Sequence, residues 1–404
     1  MRILVVPATV AQYCERYRSM FANARQFEHF QRYVTGLILS ENVTIEGINA
    51  LFPKGTDPSC LNRFLTQAPW DENKFNTRRL RLLQDDPQTR WSREGVVVID
   101  NTFNRHDGKH FDLIAKLKDH THGDYAQIHD LVTSHYADFK VQYPIEYRLF
   151  IPEKVAEREK KHFRTHTTLA VQLVHDTERR QCPAQTYAFD TAYTVQELTE
   201  VIEGYGKDWV GSIKTNRWIW VSGKKVKVGE FAKSLLASAY RKIDVDETPY
   251  WVFTKSVRVS HFDHKLRIVI SYDNREREGD PKILLTNRLS WEPIRILRQY
   301  QKRWAVETFY HDSKQELGLD GYEMRAEDGF RRHWYLVFAS YSLLVQQLRA
   351  SGLCRWFSSK LITLGEARRK LTQGTLRSLI EWVRTKIDQG FTLEKIYQEL
   401  ALTG

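Results

Sequence analysis

A chain of 404 residues is long enough for two or three folding units with a full-sized core, which excludes a single small module. Lys and Arg number 61 against 50 Asp and Glu, a formal charge of +11, which suits a polyanionic partner or solubility alone. The four cysteines, Cys14, Cys60, Cys182 and Cys354, lie far apart without a CxxC pair, which argues for free thiols in a reducing cytosol. No stretch reaches the roughly 20 apolar residues of a membrane helix, the longest candidate being 334–345, and the expected location is the cytoplasm, beside the chromosome.

From 12 to about 90 short apolar runs recur at helical spacing, broken by turn signals at Asn42, 53–55 and Pro69, and predict an all-helical unit. Its segment 57–83 carries Arg63, Lys74, Arg78, Arg79 and Arg81, a pattern that suits phosphate contacts or a solvated helix face. At Gly95 the texture changes: GVVVID is a β-branched run of the kind buried on both faces of a sheet. Strands are predicted next over 125–139 and 142–151, hairpin-paired with the first. A helix over 155–175, a strand over 184–189, a helix over 195–205 and a strand over 209–214 follow. That order requires a mixed sheet covered by helices and matches the ribonuclease H-like topology.

The stretch 217–289 is β-rich and polar, as an inserted β subdomain would be. One long helix is predicted after it, with Ser290 as N-cap, Pro293 in the first turn and Gly318 as its stop. An apolar helix over 333–348 and a basic helical tail with Arg368, Arg369 and Lys370 complete the chain.

Asp100 ends GVVVID and Asp190 ends the strand closing in YAF, positions poorly suited to packing but well suited to a site at a sheet rim. On the long helix Tyr300, Arg303, Glu307 and Lys314 fall within an arc of about 60°. Three converging carboxylates repel one another and lose hydration unless a cation joins them, and Mg²⁺ prefers a few carboxylates plus water and phosphate oxygens. Asp107 and Asp112 follow Gly-containing turns and make weaker candidates than Asp100. His106, His110, His120, His122 and His129 fit no set of zinc ligands by spacing. Trp218, Trp220, Tyr250 and Trp251 in the insertion suit either core packing or stacking on an unpaired base.

The spacing of Tyr300, Arg303, Glu307 and Lys314 is similar to the YREK signature, Y-x(2)-R-x(3)-E-x(6)-K, of bacterial insertion-sequence transposases of the DDE superfamily. VVVIDNTF resembles their first-aspartate strand and FDTAY their second, although Thr191 and Ala192 stand where many relatives carry Arg and Gly. The resemblance covers roughly 95–321. It implies a catalytic triad of Asp100, Asp190 and Glu307 holding two Mg²⁺ ions, with Mn²⁺ able to substitute. It also implies that Tyr300, Arg303 and Lys314 contact the DNA strand at the transposon end. The implied organisation is a helical DNA-binding domain over 1–92, a ribonuclease H-like catalytic domain over 93–324 with its insertion at about 215–289, and a helical region over 325–404. The implied activity is recognition of terminal inverted repeats in double-stranded DNA, cleavage there, and transfer of the 3′ hydroxyl ends by at least a homodimer. Two alternatives remain: a ribonuclease H-like nuclease or junction resolvase that cuts without joining, and a domesticated DNA-binding protein without catalysis.

Overall fold

The computed structural model describes residues 2–53, 55, 57–350 and 363–402, so Cys354 lies outside the described residues. Five helices come first: α1 (Ala8–Glu15), α2 (Ala24–Leu39), α3 (Ile45–Ala50), α4 (Pro58–Thr66) and α5 (Glu72–Asp85). Then follow β1 (Val96–His106), β2 (Ala115–Lys118), β3 (Tyr125–Ala137), β4 (Gln142–Phe150), α6 (Glu153–Arg158), α7 (His166–Arg179), β5 (Thr186–Phe189), α8 (Gln196–Gly204) and β6 (Asp208–Ser212). The insertion contributes β7 (Trp218–Val221), β8 (Lys224–Lys227), α9 (Val228–Ser234), β9 (Arg241–Val245), β10 (Thr248–Val259), β11 (Lys265–Tyr272) and β12 (Lys282–Thr286). The remaining helices are α10 (Pro293–Gln301), α11 (Trp304–Leu317), α12 (Glu327–Arg349), α13 (Leu364–Asp388) and α14 (Leu393–Glu399). No helix among the described residues is long and apolar enough to cross a membrane.

These elements form two compact units, one made of Met1–Arg90, Asn104–His129 and Thr308–Gly404, the other of Trp91–Phe103 and Asp130–Glu307. The second unit holds the ribonuclease H-like sheet. β3 neighbours β1, β1 pairs β5 in parallel, and β5 pairs β6 in parallel, while β4 lies antiparallel on β3. β12 then adds to β6 antiparallel, and β11, β10 and the β7–β8 hairpin continue the same sheet, so the insertion extends the sheet and does not stand apart from it. α10 seals one face: Ile296, Leu297 and Tyr300 are buried with Val210, Val252, Val269, Leu284 and Trp291. Burying such apolar side chains contributes about 2 kcal/mol each before entropy is charged.

Three expectations need correction. The long helix is two, because α10 ends at Gln301 and α11 begins at Trp304. Around the break the backbone bonds run three residues back, Arg303 to Tyr300 at 2.9 Å, Ala305 to Lys302 at 3.1 Å and Val306 to Arg303 at 3.2 Å. The α-helical ladder is therefore interrupted although no Gly or Pro marks the spot, and the N-cap is Glu292, not Ser290. The helix expected over 155–175 is also two: Lys160 turns left-handed at φ 52°, and Thr165 caps a new start through the Thr168 amide. Finally, β1 runs on to His106, so Asp100 lies within the strand and not at its end.

In the first unit α12 packs against α2, α4, α5 and α13. Arg79 is fully buried here, bonded to Asn76 at 2.9 Å and Ser342 at 3.0 Å, which removes it from the residues that could meet a phosphate. His129 bonds the Tyr322 hydroxyl at 2.6 Å and the Asp112 carbonyl at 2.8 Å, and His333 bonds the Tyr33 hydroxyl at 2.8 Å. Asp112 itself caps the start of α12 through the Glu327 amide at 2.9 Å. Burial lowers His106, His129 and His333 each to about 4. As pH falls from about 6.5 toward about 4, the unfolded chain takes up protons that the folded unit refuses, so stability drops, by up to about 3 kcal/mol for each imidazole. Amide exchange along α12, corrected for intrinsic rates, should therefore be faster at pH 5 than at pH 7; equal protection would refute the assignment.

Candidate active site

Register brings the two aspartates together. The last paired residues of β1 and β5 are Ile99 and Phe189, so Asp100 and Asp190 come next on adjacent central strands, at the same end of the sheet. Val96 to Ile99 and Thr186 to Phe189 are all buried, which fixes the rim from which the carboxylates emerge. The Asp190 carboxylate accepts the Ala192 amide at 2.9 Å, and its carbonyl accepts the Thr194 hydroxyl at 2.9 Å, giving a tight turn after the strand.

The interrupted helix delivers the other charged groups. Arg303, in the turn between α10 and α11, donates from Nη1 to Asp100 at 3.0 Å and from Nη2 to Glu307 at 2.5 Å. One guanidinium thus holds two carboxylates. Burial pushes the Asp100 carboxyl up to about 7, Asp190 and Glu307 add to the rise, and Arg303 opposes it. For Arg303, burial works against the charge, and Tyr300, Asp100 and Glu307 outweigh it, so its pKa lies above the ordinary range. Among the described residues its buried Nε has no hydrogen-bond partner, so the present seat leaves one donor unsatisfied.

Tyr300 is buried in the core under α10, with Lys282 Nζ 4.7 Å and the Arg303 guanidinium 5.5 Å from its ring centre. It supports Arg303 from the apolar side and does not lie on an exposed stripe. Lys314 belongs to the other unit, where burial lowers its pKa and Asp320 and Asp119 raise it. The sequence stripe therefore splits between a core residue, a turn and the two ends of α11. Among the described residues no three His, Cys, Asp or Glu side chains stand close enough to hold a metal ion as they are.

A second set of groups, not anticipated from the sequence, lies behind Asp100. Asn101, the next residue on β1, donates to Asp130 at 2.8 Å and accepts from the Tyr193 hydroxyl at 3.3 Å. The buried Asp130 also bonds His166 at 2.6 Å, and that ring stacks on Phe150 with centres 3.8 Å apart. The Asp130 carboxylate ties β1, β3 and α7 together, and the turn after Asp190 joins them through Asn101. A carboxylate directly before the apolar pair Leu131 and Val132 was the one clue available in the sequence.

Beside Asp190 a cleft of about 330 Å³ is lined by Thr191, Lys214, Asn216, Arg217, Trp218 and His261. Trp218 and Trp220 are half-exposed on β7, with Lys225 Nζ 5.2 and 5.4 Å from their rings, while Tyr250 packs against the core. The adjoining groove carries Lys255, Arg258 and Lys265 against one acid, Asp263, so this side of the insertion is net basic.

A family model for DDE superfamily endonucleases matches residues 16–229, more than half of the chain. That span contains Asp100 and Asp190 and stops short of Glu307. Among curated proteins the chain is similar to a probable transposase for insertion sequence element IS701 from Microchaete diplosiphon, 23% identical over 219 residues. The match covers 52% of this chain and 55% of that relative, so it spans about half the length of each.

Proposed function

The chain belongs to the DDE superfamily endonucleases, and on that footing we propose that it is a transposase that cuts DNA at the ends of a mobile element and joins the freed 3′ ends to a target. The observation that carries this reading is the pairing of Ile99 with Phe189, which sets Asp100 beside Asp190 while Arg303 gathers Asp100 and Glu307. Residues 1–92 and the basic face of the insertion are the DNA-contacting regions in this reading, with residues 93–324 as the catalytic region and 325–404 as a helical support.

The donor set fits a hard divalent cation: three carboxylates, one of them held well above its usual pKa by burial and by its neighbour Asp190 in spite of Arg303. Asp100, Asp190 and Glu307 would hold magnesium, or manganese in its place, and two ions would supply activation of the attacking oxygen and stabilisation of the leaving one. Arg303 keeps the carboxylates from repelling one another until then, and moves toward phosphate when they are otherwise neutralised. Lys214 and Arg217 hold the strand next to the reacting phosphate, and the apolar wall behind Tyr300 limits water. Joining two ends calls for at least a dimer on DNA.

The test uses duplexes bearing the terminal sequences that flank its coding region. Magnesium-dependent cleavage there, and joining of pre-cut ends to a plasmid, are expected. Cleavage without joined product would point to a nuclease or resolvase, and specific binding without any nick to a DNA-binding protein that has lost catalysis. Asp130→Asn should weaken Mn²⁺ binding about tenfold without unfolding the protein, because it loosens the groups that orient β1 behind Asp100. Titration calorimetry with Mn²⁺ measures this, and unchanged affinity would reduce the Asp130 network to a packing feature.

A further inference from the structure

The helical amino-terminal region has its own cleft, of about 280 Å³, between the first turns of α2 and the outer side of α4. Asn23, Arg25, Gln26, His29, Arg63 and Gln67 are among the residues lining it, and no carboxylate is. Arg25 and Arg63 are exposed, and among the described residues neither lies within ion-pair distance of an acid; the one side-chain bond shown for Arg63 runs to the Cys60 sulfur at 3.2 Å. Two exposed guanidinium groups at one cleft whose lining holds no carboxylate form a place suited to an anion.

Two further features point the same way. The first turn of α2 contains no acidic residue, and its cap is neutral, the Asn23 side chain accepting the Gln26 amide and the Gln26 side chain the Ala22 amide, so the positive end of a 16-residue helix carries no compensating charge. His29 forms part of the lining, is only 5% exposed, and among the described residues its Nδ1 has no hydrogen-bond partner. A buried imidazole nitrogen without a partner is costly unless something absent from the free protein completes it. Phe64 closes the floor, and the space suits one phosphate with the edge of its sugar and little more.

We propose that this cleft seats one phosphodiester of the DNA backbone, clamped by Arg25 and Arg63 with His29 as a neutral donor beneath. The inference rests on the reading that DNA is the partner and adds where, outside the catalytic unit, the duplex is gripped. Contact to a single phosphate carries no base information, so the cleft sets the register of the protein on the duplex and not its sequence choice.

The experiment measures binding of the full chain, without divalent metal, to a random-sequence duplex across a range of salt. Arg25→Gln combined with Arg63→Gln should weaken binding about tenfold and make the slope of log affinity against log salt shallower by about 1. His29→Phe, checked for an unchanged melting curve, should weaken binding with no change of slope, because a neutral donor releases no counterion. Unchanged affinity and slope in the double variant overturn the proposal. So does inorganic phosphate binding that the double variant abolishes while DNA affinity stays as in the wild type, which would assign the cleft to a small free anion. Failure of the wild type itself to bind duplex would instead overturn the DNA reading on which the inference rests.

Discussion

Asp100→Asn is expected to lower DNA cleavage by at least about three orders of magnitude, equivalent to about 4 kcal/mol of barrier, while raising the unfolding midpoint of the metal-free protein. The two effects have one cause. Asp100 is almost sealed from water beside Asp190, and its carboxyl is pushed up to about 7, first by that burial and then by its neighbour's charge. A group whose folded pKa lies above its unfolded value loses stability as pH rises through the folded value, so at pH 8 the ionised carboxylate is a burden on the fold. Asparagine keeps the shape and the backbone contact from Asn101 and removes the burden. Glu307 still holds Arg303, at 2.5 Å. A carboxylate present for structural reasons would show the reverse, with stability falling alongside activity. Urea unfolding at pH 8 and cleavage of a labelled duplex, measured on the same preparation, therefore separate a ligand kept at a cost from an ordinary ion pair. Lower stability, or cleavage within tenfold of the wild type, would remove Asp100 from the site.

The sheet was readable because its strands obey simple rules. VVVI and TYAF are buried runs bounded by polar residues, and the alternation of strands and helices allowed little besides a mixed sheet. The two aspartates were readable for the same reason, since each follows such a run. What could not be read was set by tertiary contacts. Nothing in the composition between Ile294 and Leu317 interrupts a helix; the break at Lys302 and Arg303 accompanies Lys302 reaching the Glu94 carbonyl at 2.8 Å and Arg303 turning to the carboxylates. A projection at 100° per residue assumes a straight helix, and so it set the buried Tyr300 on a polar face. Arg79 was grouped with exposed basic residues because its burial depends on Ser342, a residue 263 positions away. The folding of both chain ends into one unit is of the same kind, for no local pattern announces which distant helices will share a core.

The seat of Arg303 leads to the other large effect. Its guanidinium lies between Asp100 and Glu307, where a cation shared by those carboxylates would have to sit, and among the described residues no three His, Cys, Asp or Glu side chains are within coordination range. A like charge about 4 Å from an arriving divalent ion costs about 8 kcal/mol at an effective dielectric of about 20, before the side chain moves away. Arg303→Gln should therefore tighten Mn²⁺ binding to the metal-free protein by at least tenfold, and yet slow cleavage by about a hundredfold, because the displaced guanidinium is then missing from the phosphate. Without metal the same variant should be less stable by about 3 kcal/mol, since two carboxylates lose the guanidinium they share, and saturating Mn²⁺ should restore most of that loss. Titration with Mn²⁺, thermal unfolding with and without it, and single-turnover cleavage together fix the sign of each effect. Weaker Mn²⁺ binding in the variant would mean that Arg303 organises the carboxylates for metal and does not compete with it, and the displacement step would have to be abandoned.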